Sequence, residues 1–132
     1  MDINETTRVV VDAAYGIHRR LGPGLLESVY EALLMKVLEG RGLRVRRQAS
    51  IPFEYEGVRV EDGFRVDLLV EECVVVELKS VEKLAPVHRK QVLTYLRVLD
   101  LPVGLLINFG APTFKEGIHR IANTYAPRLP PL

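Results

Sequence analysis

Apolar residues return every three or four positions in three segments of the chain, the spacing that places them on one face of an α-helix. The first predicted helix runs from about residue 4 or 6 to residue 20, and the second from about residue 25 to residue 40. The third spans residues 86–99, with Pro86 suited to the first helical turn. Glycines directly after the first two segments predict where those helices end.

Between residues 45 and 55 apolar and polar residues alternate, which predicts a half-buried β-strand. Glu56 and Gly57 indicate a hairpin turn that leads into a short strand at residues 58–60. Further strands are predicted at residues 64–70, 74–79 and 103–108, and the last is a continuous apolar run typical of a strand buried on both faces. No element is assigned after residue 110.

This order of elements predicts an α/β fold, a mixed sheet of four to five strands flanked by helices. The length of 132 residues suits one domain over residues 1–132. Its core is expected at about residues 5–123, and the proline-rich segment at residues 126–132 is expected to be extended.

The chain is nearly neutral, with 18 basic and 17 acidic residues and a net charge of +1. Tight nonspecific binding of nucleic acid requires a local surplus of cations, so the composition predicts binding that is weak or assisted by a partner or second subunit. The apolar runs are far shorter than the roughly 20 residues of a membrane-spanning helix. With a polar, acidic N-terminus and a single cysteine, these features predict a cytoplasmic protein without a membrane segment.

Charged residues interrupt two otherwise apolar strands, residues 64–70 and 74–79, on either side of a short turn. If the turn is symmetric about Glu72, Asp67 lies opposite Glu77, where Cβ atoms are about 4.5–5.5 Å apart on one face of the sheet. Lys79 shares the face of Glu77, because side chains alternate along a strand. A slip by one residue would instead place Asp67 on the other face.

Two opposed carboxylates destabilise a sheet unless a cation compensates them. Lys79 offers part of that compensation, and a hard divalent ion such as Mg²⁺, which prefers carboxylate oxygens, offers more. One of its waters could act as a nucleophile toward a phosphate, and Lys79 could orient that water or stabilise the transition state. The alternative is a surface salt-bridge cluster on an exposed sheet face, the commoner environment of charged strand residues.

Asp67, nine further residues and then Glu77-x-Lys79 across a hairpin resemble the signature of the PD-(D/E)XK nuclease superfamily. Residues 24–30 spell Gly-x-x-Glu-x-x-Tyr, and residues 91–95 resemble the Gln-x-x-x-Tyr element of its exonuclease-like branches. Over about residues 8–123 these motifs together resemble the GxxExxY protein family, a bacterial and archaeal group within this fold. Val66 stands where the superfamily name has proline, a common substitution that affects no ligand.

The resemblance implies a restriction-endonuclease-like core, with central antiparallel hairpins and one added strand. It implies Asp67 and Glu77 as metal ligands and Lys79 as the catalytic lysine. Glu27 is implied as an additional acidic ligand that reaches the site from the preceding helix. The implied cofactor is Mg²⁺, for which Mn²⁺ is expected to substitute, and the expected activity is hydrolysis of phosphodiester bonds in DNA or RNA.

Three further side chains are candidates for contact with substrate. Gln91 and Tyr95 are four positions apart and share a helix face with His88, where a tyrosine could stack on a base or bond a phosphate. Tyr30 is a helical neighbour of Glu27. The structural alternatives are an amphipathic boundary for the first group, a core position for Tyr30, and for Glu27 a first-turn glutamate favoured by the helix dipole.

The densest basic cluster consists of Arg44, Arg46 and Arg47, which are candidates for phosphate contacts. The alternative is a solvated edge strand protected by charge. His18 is interpreted as a packing residue.

At the level of function, the alternative to a nuclease is a non-catalytic module that binds nucleic acid or protein and retains the fold. An exposed sheet edge also permits a homo-oligomer.

Overall fold

The computed structural model describes residues 2–124. Within this range the chain forms four helices, which are α1 (Ile3–Leu21), α2 (Glu27–Gly40), α3 (Pro86–Leu99) and the single-turn α4 (Phe114–Gly117). None of them is both long enough and apolar enough to cross a membrane. The strands are β1 (Val45–Tyr55), β2 (Val58–Val70), β3 (Val74–Lys79), β4 (Val103–Asn108) and β5 (Ile118–Ala122). The proline-rich segment predicted at residues 126–132 lies outside the described residues.

The five strands form one mixed sheet in the order β1-β2-β3-β4-β5. β3 and β4 run parallel and are connected through α3, while the other neighbouring strands pair antiparallel. This architecture confirms the predicted mixed sheet flanked by helices and is consistent with a restriction-endonuclease-like core. β5 adds an edge strand in the region where the sequence pattern assigned no element.

β2 differs from its prediction. The expectation of separate strands at residues 58–60 and 64–70 is wrong, because one strand runs through both segments. Between them the β1–β2 register shifts, between Ile51 and Phe53 on the β1 side. Gly63 lies beneath the Phe53 ring, and a Cβ atom at this glycine would come within 2.2 Å of the ring. Glycine at position 63 therefore permits a close aromatic contact within the hairpin.

Two apolar clusters fill the space on the two faces of the sheet. One lies beneath α1 and α2 and contains Val10 and Val76, and the other lies beneath α3 and contains Val75 and Val92. β4 is buried along its whole length, as its continuous apolar run predicts. Successive side chains of β3 therefore pack into opposite cores, and both helical layers hold this strand in place.

His18 packs between α1 and the segment after β4. Its imidazole Nε2 lies 2.8 Å from the Ala111 carbonyl oxygen, so this nitrogen carries the hydrogen and donates. The ring also contacts the rings of Phe109 and Phe114. These contacts agree with its interpretation as a packing residue.

The segment that follows Lys79 is anchored by the Asn108 side chain at the end of β4. Asn108 Oδ1 accepts hydrogen bonds from the backbone N–H groups of Val81 (3.1 Å) and Gly110 (3.0 Å), and Nδ2 donates to the Val81 carbonyl (2.9 Å). A Cβ atom at Gly110 would lie 2.2 Å from that carbonyl oxygen, so only glycine permits this approach. The backbone is thus fixed two residues beyond Lys79.

Asn108→Ala should lower the free energy of unfolding by about 2–3 kcal/mol, because it removes three hydrogen bonds worth about 1 kcal/mol each. Urea denaturation followed by circular dichroism measures the change. Asn4→Ala is the matched control, since this exposed asparagine accepts a single bond from Arg120 and should change stability by less than about 0.5 kcal/mol. Equal losses in the two variants would contradict the anchoring role of Asn108.

Candidate active site

The turn before α2 is held by the hydroxyl group of Tyr30. This hydroxyl donates to the Gly22 carbonyl and accepts from the Leu25 N–H group at 3.2 Å, while the ring stacks on Phe109 with centroids 4.4 Å apart. Gly24 adopts a φ of 118°, which an L-amino acid with a side chain rarely reaches. The Gly-x-x-Glu-x-x-Tyr motif therefore closes a fixed turn, and Glu27 follows as the first residue of α2.

β2 switches faces at Asp67. Val66 packs in the cluster beneath α3 and Leu68 in the cluster beneath α1 and α2, although residues two apart in a regular strand share a face. β1 switches faces in the same place, because Val45 packs against the cluster beneath α1 and α2, whereas Ala49 belongs to the cluster beneath α3. The sheet is thus strongly distorted where Asp67 lies.

The β2–β3 ladder ends one residue before the predicted carboxylate pair. Leu68 pairs with Val76, as the turn centred on Glu72 predicts, but no backbone pair joins Asp67 to Glu77. Instead the Asp67 N–H group donates to Glu77 Oε1 at 2.9 Å, and the Leu78 N–H group donates to Asp67 Oδ2 at 2.9 Å. The strands diverge here, and each carboxyl group binds the backbone of the other strand.

Burial and mutual repulsion make it unfavourable for Asp67 and Glu77 to be ionised at the same time. Glu77 is 5% exposed, and its burial, together with the charge of Asp67, raises its pKa to about 8. Burial also raises the pKa of Asp67, whereas the hydrogen bond from the Leu78 N–H group lowers it. A hydrogen bond between the two carboxyl groups raises the pKa of Glu77 and lowers that of Asp67. Without a metal ion, the raised pKa favours a proton on Glu77 at neutral pH.

Glu27 and Lys79 lie within electrostatic range of this pair. Burial raises the pKa of Glu27, the positive charge of Lys79 lowers it, and Asp67 raises it further. The charge of Lys79 also lowers the pKa of Glu77. Lys79 itself is half-buried, and none of the ion pairs found within residues 2–124 involves it. The Lys79 ammonium group is thus close enough to Glu27 and Glu77 to lower the pKa of each, without forming an ion pair with either of them.

Tyr95 of α3 lies near the acidic pair, on the side of the sheet that α3 covers. Its ring stacks on Phe64 with centroids 4.2 Å apart, and its hydroxyl shares a hydrogen bond with Gln91. Burial raises the pKa of Tyr95, and so do the charges of Glu77 and Asp67, which places the phenol beside the acidic pair. Gln91 is exposed. His88, by contrast, accepts a hydrogen bond from the Ala85 N–H group at 3.1 Å and caps the helix.

Two residues next to the acidic pair were not predicted from the sequence. Gln48 in β1 donates from Nε2 to Asp67 Oδ1 at 3.2 Å and contacts both carboxylate oxygens of Glu31 at 3.0 Å. Glu31 is 3% exposed and also accepts a hydrogen bond from Arg47 Nε at 2.7 Å. The available sequence signal was the spacing of Glu31, four residues after Glu27 on the same helix face. The position of Gln48 opposite Asp67 has no such signal.

The predicted basic cluster is paired with acids. Arg44 and Arg46 contact Glu71 and Glu72 of the β2–β3 turn, and Arg47 contacts Glu31. The Arg46–Glu72 pair is exposed and contributes little to stability, but each of the three pairs reduces the positive potential offered to a phosphate backbone. The positive charge of the basic cluster Arg44, Arg46 and Arg47, which was expected to bind phosphates, is therefore largely neutralised.

Asp67 and Glu77 suit a divalent cation by the chemistry of their donors. Both offer carboxylate oxygens, which hard cations prefer, and a divalent cation could replace the proton that the raised pKa of Glu77 favours. Within residues 2–124, however, no three side chains of histidine, cysteine, aspartate or glutamate are close enough together to form a complete metal site. The structure thus brings together two of the three predicted ligands, with Glu27 nearby but separate.

Two open grooves meet at Leu26 and Glu27. One has a volume of about 530 Å³ and extends to the segment after β3, at residues 80–82. The other has a volume of about 540 Å³ and extends along α2 to Arg47 and Gln48. A chain-like substrate could therefore pass Glu27 on either side. Tyr30 lines neither groove and has no exposed surface, so its position supports the turn and does not provide contact with a substrate.

The sequence model of the PD-(D/E)XK nuclease superfamily matches residues 4–121. No curated protein and no solved structure matches the chain. The matched range covers all the helices and strands that contribute to the site described above.

In the presence of EDTA, the stability of the protein should depend on the proton of Glu77. The native state keeps this proton up to a pKa of about 8, whereas an unfolded glutamate releases it near pH 4.5. The resulting stabilisation is complete below the lower value and is lost as the pH rises through the higher one, at no more than about 1.4 kcal/mol per pH unit.

Glu77→Gln should remove this part of the slope, as measured by urea denaturation across that pH range. Glu72→Gln, at an exposed glutamate of the β2–β3 turn, is the control and should leave the slope unchanged. A slope that persists in Glu77→Gln would show that the raised pKa belongs to another group.

Proposed function

The chain belongs to the PD-(D/E)XK nuclease superfamily, and from this premise we propose that it is a divalent-metal-dependent nuclease that hydrolyses phosphodiester bonds in DNA or RNA. Members of this superfamily typically use divalent metals, and nucleic acid is the substrate that membership implies. Mg²⁺ is the proposed ion, with Mn²⁺ able to replace it. The Gly-x-x-Glu-x-x-Tyr turn at residues 24–30 supports placement within the GxxExxY group.

The observation that carries the proposal is the contact between Asp67 and Glu77 at the divergence of β2 and β3. Each carboxyl group is bound to the backbone of the opposite strand, so both are fixed before any ligand arrives. The pair satisfies two backbone N–H groups at the break in the ladder, and the burial of Glu77 beside Asp67 favours a proton on Glu77. The same pair is well suited to exchange that proton for a divalent ion.

Asp67 and Glu77 would hold the ion, and Glu27 would complete the set from the first turn of α2. When bound, the ion supplies a Lewis acid for the phosphate and lowers the pKa of a water molecule. Lys79 would place a positive charge beside the phosphate as negative charge develops on it. Gln91 and Tyr95 would contact the substrate from α3, on the side of the sheet that Glu77 and Lys79 share.

The non-catalytic alternative is favoured by one observation, which is the lack of a three-donor cluster within residues 2–124. Under this alternative the chain would bind nucleic acid or protein without cleaving it. The neutralised arginines count against tight binding of nucleic acid by this chain alone. We therefore propose that binding is weak or assisted, by a partner or by a second copy in a homo-oligomer. The predicted cytoplasmic location suits such a role.

Lys79→Met should lower the rate of nucleic-acid cleavage by about 10²–10³-fold, the effect of removing one positioned charge-stabilising group. Asp67→Asn should abolish cleavage, because it removes a proposed ligand. Plasmid DNA and labelled single-stranded DNA and RNA, each with Mg²⁺ or Mn²⁺, are the substrates to test. Lys36→Met and Asp12→Asn, at exposed positions of α2 and α1, should leave the rate unchanged. If the wild-type protein cleaves none of these substrates, the non-catalytic alternative is favoured.

Binding of nucleic acid should require the divalent ion. Without it, Asp67 and Glu27 repel a phosphate, and like-charge contacts of this kind cost several kcal/mol. With the cleavage-deficient Lys79→Met protein, Mn²⁺ should strengthen binding of a labelled oligonucleotide by about tenfold or more relative to EDTA, as measured by fluorescence anisotropy. In Asp67→Asn combined with Glu77→Gln, the difference between Mn²⁺ and EDTA should disappear. Equal affinities with and without Mn²⁺ in Lys79→Met would contradict a metal-centred substrate site.

A further inference from the structure

Gln48 adopts a backbone conformation that is unusual for its place in the fold. It has a φ of 50°, in the left-handed region, although it lies in the middle of β1. The other non-glycine residues with positive φ within residues 2–124 are Glu56, Glu71, Glu72 and Asp100, which lie in turns or at a helix end. Such strain inside a strand persists only where the surrounding structure holds it.

The strained residue faces Asp67. In the β1–β2 ladder Arg47 pairs with Leu68 and Ala49 pairs with Val66, but no pair is formed between Gln48 and Asp67. The ladder keeps the same register on both sides, so no residue has been inserted or lost at this point. The left-handed backbone therefore lies where β1 changes faces, and at Gln48 side-chain contacts replace the backbone pair.

The Gln48 amide bridges two acids. Its Nε2 lies 3.2 Å from Asp67 Oδ1 and 3.0 Å from each carboxylate oxygen of Glu31. An amide nitrogen carries two hydrogens, so one N–H can serve each acid. Arg47 neutralises Glu31 from the other side at 2.7 Å. Asp67 is thereby held at both oxygens, by Gln48 at Oδ1 and by the Leu78 N–H group at Oδ2.

We propose that Gln48 is a positioning residue, which fixes the Asp67 carboxylate for the divalent ion and keeps Glu31 bound within the protein. This proposal rests on the proposed function only in the identity of the ligand. It gives Glu31 and Glu27 different roles, although both lie on the same face of α2. Glu31 is bound by Gln48 and Arg47, whereas the Glu27 carboxyl group has no hydrogen bond or ion pair of this kind with residues 2–124 and remains available as the third acid.

Gln48→Gly separates the side chain from the backbone. Glycine adopts a φ of 50° without strain, so the fold should be retained while both amide contacts are lost. Calorimetric titration should show a Mn²⁺ affinity weaker by about 10- to 100-fold, the usual effect of removing a group that orients a metal ligand. Glu56→Gly is the matched control, because Glu56 has a φ of 46° in the β1–β2 turn, far along the hairpin from Asp67. It should bind Mn²⁺ with unchanged affinity.

A second readout needs no metal. The Leu78 N–H group donates to Asp67 Oδ2, so its hydrogen exchange reports how firmly that carboxylate is held. In metal-free Gln48→Gly this amide should exchange roughly fivefold faster than in the wild type, the factor that one ordinary hydrogen bond represents. Amides in the middle of β3 should be unaffected, and Glu56→Gly should leave the Leu78 rate unchanged.

The two readouts distinguish failure of this proposal from failure of the proposed function. If the wild type binds Mn²⁺ and Gln48→Gly binds it equally well, Gln48 does not position the site and the proposal is overturned. If the wild type binds no Mn²⁺, the proposed function fails, and the exchange rate of Leu78 alone decides whether Gln48 holds Asp67. An unchanged exchange rate would then overturn the positioning role as well.

Discussion

The exchange of hydrogen bonds between β2 and β3 at Asp67 is the constraint on which the rest of the site depends. The two strands diverge at this point, and a buried N–H group without a partner would be costly on either strand. The Asp67 N–H group is satisfied by Glu77, and the Leu78 N–H group is satisfied by Asp67. The two acids thus replace the missing part of the ladder. This explains why they remain together although burial opposes their ionisation.

Each neighbouring layer of the fold holds one side of this gap. The helix α2 begins at Glu27 because Tyr30 closes the preceding turn, and Tyr30 is itself fixed by stacking on Phe109. On the opposite face, Tyr95 of α3 stacks on Phe64 of β2, which ties the helix to the strand that carries Asp67. Tyr30 and Phe109 are fully buried and Tyr95 is nearly so, which helps to place polar groups around the break in the sheet. Packing and chemistry are therefore linked through a few aromatic rings.

Sequence patterns predicted the site where local geometry was regular and missed it where it was not. The pairing of Leu68 with Val76 follows from the short β2–β3 turn, and so the meeting of Asp67 and Glu77 could be anticipated. The divergence that replaces their backbone pair could not, because nothing in an alternating pattern signals where a ladder ends. The sheet order and the helical layers followed from periodicity, whereas β5 is short and has too weak an alternation to be recognised.

The role of Gln48 was hidden for a further reason. Counting back from the Glu56-Gly57 turn would place Arg46, not Gln48, opposite Asp67, because the register irregularity near Phe53 moves the alignment by two residues. Likewise, the arginines looked available for phosphates because their partners Glu71, Glu72 and Glu31 are distant in sequence or on another element. Both errors concern contacts between elements whose relative register is set by an irregularity.

These pairings change the electrostatic meaning of a nearly neutral chain. The arginines beside the site are bound to acids, while Glu27, Asp67 and Glu77 converge near one lysine that has no ion-pair partner among residues 2–124. Because the local potential favours a cation and opposes a polyanion, the site is arranged to take up positive charge before it meets a phosphate. The proton on Glu77 is the smallest such charge, and it is held by the same two carboxyl groups that would bind a metal. Loss of that proton and gain of a divalent ion are therefore coupled, so the affinity of the site for metal should rise with pH up to the pKa of Glu77.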